Sequence, residues 1–323
     1  MKKISMFLIF VLTLIMTTSC NFGFLNSEET GNDDVNEENN DDTNTNKEET
    51  TNEINIIILC GQSNAEGHTW WIELQKRNPA LCNKYLKRED SVIKMKYSCD
   101  DGRHVNDDYE SVKLGMGFDS NRFGPEIGMN EALESVELTR QTYILKYTLG
   151  ATDLYYQWKS YSSGGSAGRL YNGMIEFLYD ELIALEDAGL KPYVKAVCWM
   201  QGEADSQDSK KTAAYGEYLN NFIEDLNCDL VDYIEDGDEK IKFVDAGISE
   251  SSAWTNYLSI NQQKAEVKDL DPLHRAYIDT VGMGLDFRKE PMSGPDLFHY
   301  DSLSMIELGK SFMEAILKFG VLK

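Results

Sequence analysis

The stretch Ile-Asn-Ile-Ile-Ile-Leu-Cys-Gly-Gln-Ser-Asn-Ala-Glu-Gly, residues 54–67, decides how this chain is read. Residues 54–60 are almost continuously apolar, the pattern of a strand buried on both faces of a parallel sheet. A polar turn bounded by Gly61 and Gly67 follows at once. Glycines permit a tight strand-to-helix turn, where a serine such as Ser63 can project its hydroxyl while its own N–H faces a developing oxyanion. The spacing is not the G-x-S-x-G elbow, because the second glycine comes too late.

Working outward, residues 143–147, 193–200, 243–248 and 275–280 read as further strands. Between them Tyr171, Met174, Leu178, Leu182 and Leu185 recur at helical spacing. Residues 212–230 are similarly periodic, and Met305, Leu308, Phe312 and Ile316 form a last stripe. Strand and helix alternation predicts an α/β fold with a central parallel sheet covered on both faces, and there is no internal repeat. With 323 residues and 41% hydrophobic content, one catalytic domain over 54–323 is expected. The net charge of -24 argues against nucleic acid or an anionic membrane surface as partner, and favours neutral or cationic substrates.

The N-terminus has a different character. Lys2 and Lys3 precede an apolar run over 6–16, then small polar residues lead to Cys20. This is the layout of an export signal, too short to span a bilayer. Thr18-Ser19-Cys20 resembles a bacterial lipobox, although Thr17 stands where leucine is usual. The expectation is a signal peptide over 1–19 and a lipidated Cys20 that anchors the exported protein at the cell envelope or surface, with an ordinary cleaved signal as the alternative. Residues 21–53 hold eleven acidic residues against the single Lys47, so 20–53 reads as a disordered acidic tether. Of the other cysteines, Cys60 and Cys198 sit in apolar runs and read as core. Cys82 and Cys99 flank a polar stretch and are either bridged or free.

Three more polar motifs fall where a parallel sheet gathers its reactive groups, beyond the carboxyl ends of strands. Asp296 precedes His299 by three residues, a spacing that lets the carboxylate hold the imidazole Nδ1–H and so support a base for Ser63. A surface histidine ahead of a helix is the bland alternative. Residues 199–205, Trp-Met-Gln-Gly-Glu-Ala-Asp, bring the amide of Gln201 as an oxyanion donor and Gly202 for close approach. Residues 123–128 look like a helix start with Pro125 in its first turn.

The GQSN turn at 61–64, the WMQGEAD segment and the late Asp-x-x-His together resemble the SGNH-hydrolase superfamily. Within it they are similar to the sialate O-acetylesterase and acetylxylan esterase group, the family-six carbohydrate esterases, from about residue 54 to the end. That resemblance implies a three-layer α/β/α flavodoxin-like fold and removal of acetyl groups from acetylated carbohydrate, with Ser63 as nucleophile, His299 as base and Asp296 as its orienting acid. The implied oxyanion donors are the Ser63 N–H, a glycine N–H placed at Gly124, and the Gln201 side chain. Gly128 and Gly150 lie in comparable turns, and Glu203 is a second candidate acid for His299. Where members often carry Gly-Gly-Thr, this chain has Gly150-Ala151-Thr152.

Trp70, Trp71, Trp158 and Trp254 are either stacking faces for sugar rings or core. The glycine and serine run at 162–168 lacks the Walker lysine and reads as a flexible loop. No HExxH or comparable ligand cluster occurs, so no metal or cofactor is expected. Beside the sugar acetylesterase stand two other readings: the same machinery acting on other acyl esters or lipids, and a surface lipoprotein that binds glycan without turnover.

Overall fold

The computed structural model describes residues 52–323. The expected signal peptide over 1–19, the expected lipidation at Cys20 and nearly all of the expected acidic tether fall outside the described residues. Six parallel strands form the central sheet: β1 (Glu53–Gly61), β2 (Ile93–Cys99), β3 (Thr142–Thr148), β4 (Lys191–Met200), β5 (Lys242–Ala246) and β6 (Arg275–Ile278). Their order across the sheet is β6-β5-β4-β1-β3-β2. Without β2 this is the flavodoxin-like order, in which the chain leaves β1 toward one side and then returns to build the other. β2 adds an edge strand beyond β3, and two short antiparallel strands, His104–Val105 and Glu110–Ser111, pair with it.

Each expected strand is present. Ile56, Ile57, Ile58, Leu59 and Cys60 are fully buried, as a strand covered on both faces requires. The edge strand β2 was not anticipated. Its side chains alternate between buried and half-buried, and Lys94 and Lys96 interrupt the apolar signal on the outer face.

Among the described residues eight α-helices flank the sheet. The first four are α1 (Ser63–Glu66), α2 (Trp71–Arg77), α3 (Pro79–Leu86) and α4 (Glu126–Leu133). The others are α5 (Arg169–Asp187), α6 (Ser209–Asp229), α7 (Tyr257–Leu270) and α8 (Ser302–Phe319). Right-handed crossovers running from β3 through β4 and β5 to β6 carry α5, α6 and α7 along one face. The connection from β1 to β2 carries α2 and α3, and α4 follows between β2 and β3, where it packs against α8. The five apolar positions read as a stripe in α5 are all buried, as are the four of α8.

Cys82 and Cys99 are free, buried thiols, so the bridge considered from the sequence does not form. Thr148 Oγ1 lies 3.3 Å from Cys99 Sγ, whereas Cys82 Sγ faces the Trp71 carbonyl. The 162–168 run is anchored at its start, because the Asp225 carboxylate accepts both the N–H and the hydroxyl of Ser162, at 2.9 and 2.6 Å.

The α4–α8 crossing is unusually close. A Cβ on Gly309 would fall 2.0 Å from the Pro125 carbonyl oxygen, and one on Gly128 would fall 2.0 Å from that of Ile306. Replacing a mid-helix glycine by alanine normally stabilises by about 1 kcal/mol. Here the clash is with backbone, which no rotamer change relieves. Gly309→Ala is therefore expected to destabilise by roughly 1–3 kcal/mol, read as a lower urea midpoint at unchanged m. A midpoint at or above wild type would contradict the close crossing.

Candidate active site

The sheet register brings three strand ends to one level. Gly61 pairs with Thr148 on β3 and with Met200 on β4. Gly61 has φ 136°, and a Cβ there would sit 2.1 Å from the Met200 carbonyl oxygen, so only glycine lets β1 turn at this point. The loops that follow these strands, with residues after β2 and β5 and the segment before α8, enclose a cavity of about 490 Å³. It lies where the strand order reverses, the usual place for a site in an open parallel sheet.

Ser63 opens α1 and lines this cavity. Its N–H belongs to the first turn, whose N–H groups have no acceptor within the helix. His299 lines the same cavity. One carboxylate fixes both its backbone and its ring: Asp296 Oδ1 accepts the N–H groups of Phe298 and His299 at 2.9 and 3.0 Å, and Oδ2 lies 2.8 Å from His299 Nδ1. The turn forces Leu297 to φ 61°, a left-handed conformation unfavourable for leucine. Burial pushes the Asp296 carboxyl up, but the hydrogen bond and charge of His299, with the two N–H donors, outweigh it and hold the group below the usual carboxylate range. With Nδ1–H given to Asp296, the neutral ring presents Nε2 as an acceptor.

Asn64 ties this turn to α1. Its Nδ2 donates to Glu203 Oε1 at 2.9 Å and to the Phe298 carbonyl at 3.3 Å, and its Oδ1 accepts the Tyr300 N–H at 3.2 Å. Glu203 is fully buried, and burial raises its pKa. Read from the sequence as a second acid for His299, Glu203 instead braces Asn64. Its other oxygen, Oε2, has no partner among the described residues.

Two expected oxyanion donors are placed elsewhere. Gln201 is fully buried outside the cavity lining, and its Nε2 donates to Asp205 Oδ2 at 2.6 Å and the Thr152 carbonyl at 2.9 Å. Both amide hydrogens are thus committed to holding the loop after β4 against the loop after β3. The Gly124 N–H donates to the buried Glu126 Oε1 at 2.7 Å, and Gly124 also lies outside the lining. Of the other glycines, Gly128 packs against α8, and Gly150 lines the cavity with its N–H given to Glu66 Oε2 at 2.9 Å.

Residues 53–318 match the family described as carbohydrate esterase, sialic acid-specific acetylesterase. The chain belongs to that family. No curated protein matches it at a significant level. Among solved structures, a protein from Arabidopsis thaliana is similar with a TM-score of 0.57 at 20% identity, covering 82% of this chain and 98% of that one. NanS is similar at 0.51 and 16%, covering 84% and 98%. A carbohydrate acetylesterase from Xanthomonas citri is similar at 0.52 and 14%, covering 82% of this chain and 55% of that one. At such identities the likeness carries the fold, a mostly parallel sheet with flanking helices.

In this esterase Glu66 is a cavity residue that escaped the sequence reading. Glu66 is fully buried and lines the cavity, with Oε1 accepting the Asp100 N–H at 2.6 Å and Oε2 accepting from Gly150 and from His68 Nε2, the last at 2.8 Å. It thereby joins the ends of β1, β2 and β3. The signal was its place one helical turn after Ser63; nothing local revealed its partners. Of the tryptophans, Trp254 lines the cavity beside Phe298, and Trp158 is core, its Nε1 bonded to Thr152 Oγ1 at 2.8 Å. Trp70 is covered by the Arg122 guanidinium at 4.0 Å, and the Trp71 Nε1 bonds to the Ser120 carbonyl.

The placement of Gln201 gives a direct expectation. Gln201→Ala strips a donor from Asp205 and leaves the Thr152 carbonyl without its side-chain partner, so it should destabilise the fold by about 1–3 kcal/mol. Chemical denaturation checks this. A stable variant with kcat lowered a hundredfold would return Gln201 to the oxyanion site.

Proposed function

We propose that this esterase removes acetyl groups from neutral acetylated sugars through Ser63, His299 and Asp296. The observation that carries the reading is the turn at 296–299, in which one ionised carboxylate holds His299 on the wall of the cavity that Ser63 also lines. His299 Nε2 takes the Ser63 proton as Oγ attacks the acetyl carbonyl carbon. The oxyanion that forms faces the Ser63 N–H. Collapse of the tetrahedral intermediate breaks the bond to the sugar oxygen, which leaves with the proton from His299. Water, deprotonated by the same imidazole, then attacks the acetyl-serine, and acetate departs as the proton returns to Ser63.

The lining supports a small neutral ligand. Phe118, Leu149, Trp254 and Phe298 give apolar walls. The charged side chains on the wall are the carboxylates Glu66 and Asp100, and neither lysine nor arginine is among the lining residues. A sugar carrying its own carboxylate therefore meets like charge. An acetyl group attached to a neutral sugar ring does not.

Kinetics on variants and substrates tests both parts. Ser63→Ala and His299→Ala should each lower acetylesterase kcat by roughly 10⁴-fold, and the double variant should be scarcely worse. Asp296→Asn should be less severe, because the loop contacts of Asn64 remain. Acetate release from acetylated xylo-oligosaccharides should exceed that from O-acetylated sialic acid, and hydrolysis of 4-nitrophenyl acetate should exceed that of 4-nitrophenyl octanoate. Preference for the sialic acid would overturn the neutral-sugar reading, and preference for octanoate the acetyl reading. Turnover persisting in Ser63→Ala would remove the mechanism.

A further inference from the structure

Two imidazoles face the cavity. His68 lines it beside His299, and the rings are stacked with centroids 4.6 Å apart and planes 20° from parallel. Phe118 packs on His68 at 4.5 Å. Glu66 accepts from the His68 Nε2 at 2.8 Å, and because a carboxylate only accepts, Nε2 carries the hydrogen. Glu66 is itself held by the N–H groups of Asp100 and Gly150. His68 is thus a ring fixed at its polar end by a buried, well-anchored acid, with its face turned to His299.

The charged groups around the pair are Glu66 from α1, Asp296 in the same turn as His299, the buried Glu203 after β4, and Arg122. Burial is the largest influence on His68 and lowers its pKa. The Glu66 hydrogen bond works against that, while the charges of His299 and Arg122 add to the lowering.

We propose that His68 is a positioning residue whose ring face holds the His299 imidazole in its working orientation and keeps water from it. The proposal rests on His299 being the base. Asp296 anchors the His299 ring at Nδ1 alone, which leaves its tilt undetermined by hydrogen bonding. A base must sit within hydrogen-bond reach of the proton it removes, and a small misplacement is expensive in rate. The stacked ring removes that freedom, and the imidazolium formed during reaction lies against an aromatic face.

Two substitutions separate the ring face from the hydrogen bond. His68→Gln can still donate to Glu66 but has no ring, whereas His68→Phe keeps the ring and leaves Glu66 its two backbone donors. Both are measured with 4-nitrophenyl acetate across pH, beside His299→Ala, with circular dichroism to confirm folding. His68→Gln should lose about 10- to 100-fold in kcat with KM nearly unchanged. His68→Phe should recover most of that loss. A His68→Gln enzyme like wild type beside a crippled His68→Phe would overturn the proposal, since the role would then run through Glu66. So would a rise in KM at constant kcat, the mark of a substrate contact. Turnover surviving in His299→Ala would instead overturn the base assignment, and the proposal with it.

Discussion

The parallel register of β1 with β3 and β4 is the constraint from which the site follows. Parallel strands exchange evenly spaced hydrogen bonds, so strands that end at one level release their loops at one point. Gly61, Thr148 and Met200 are such ends, and the close passage of Gly61 under the Met200 carbonyl makes the coincidence tight. A side chain at Gly61 would push β1 from β4 and separate Ser63 from the loops that complete its cavity.

Carboxylates, buried in all but Asp296, then hold those loops. Each loop turns away from the sheet with backbone N–H groups that have lost their ladder partners, and a carboxylate can accept several at once. Glu66 takes the N–H groups of Asp100 and Gly150, Asp205 those of Leu154 and Tyr155, Glu126 that of Gly124, and Asp296 those of Phe298 and His299. The expense shows where burial prevails: Asp205 is raised to about 6 by desolvation despite its donors, and Glu203 is raised as well. Beneath the site the Glu126 carboxylate is paired with the fully buried Lys146 at 3.0 Å. Part of the strongly acidic composition is therefore internal scaffolding for loops.

Much of this was legible in the chain, and the limits have physical causes. Buried strands announce themselves by apolar runs, which is why β1 and β4 were plain, whereas β2 shows alternating lysines because its outer face is half-open. The pairing of Asp296 with His299 could be read because both lie on one turn. The partners of Gln201 and Gly124 were not legible: their donors are given to acids close in sequence, Asp205 and Glu126. Those acids were visible, but whether an amide faces a cavity or a neighbouring carboxylate is settled by packing. His68 was beyond reach, since its meeting with His299 depends on the entire sheet lying between them in the chain.

The central claim is that Ser63 is a nucleophile activated by His299. Labelling the folded protein with a fluorophosphonate, followed by peptide mapping, tests it most directly, because such reagents phosphonylate serines whose hydroxyl has a base at hand. The account predicts one phosphonyl group, on Ser63, with loss of esterase activity in step with labelling and no label in His299→Ala. Full inactivation with the label on another serine, or label on Ser63 that persists without His299, would contradict it.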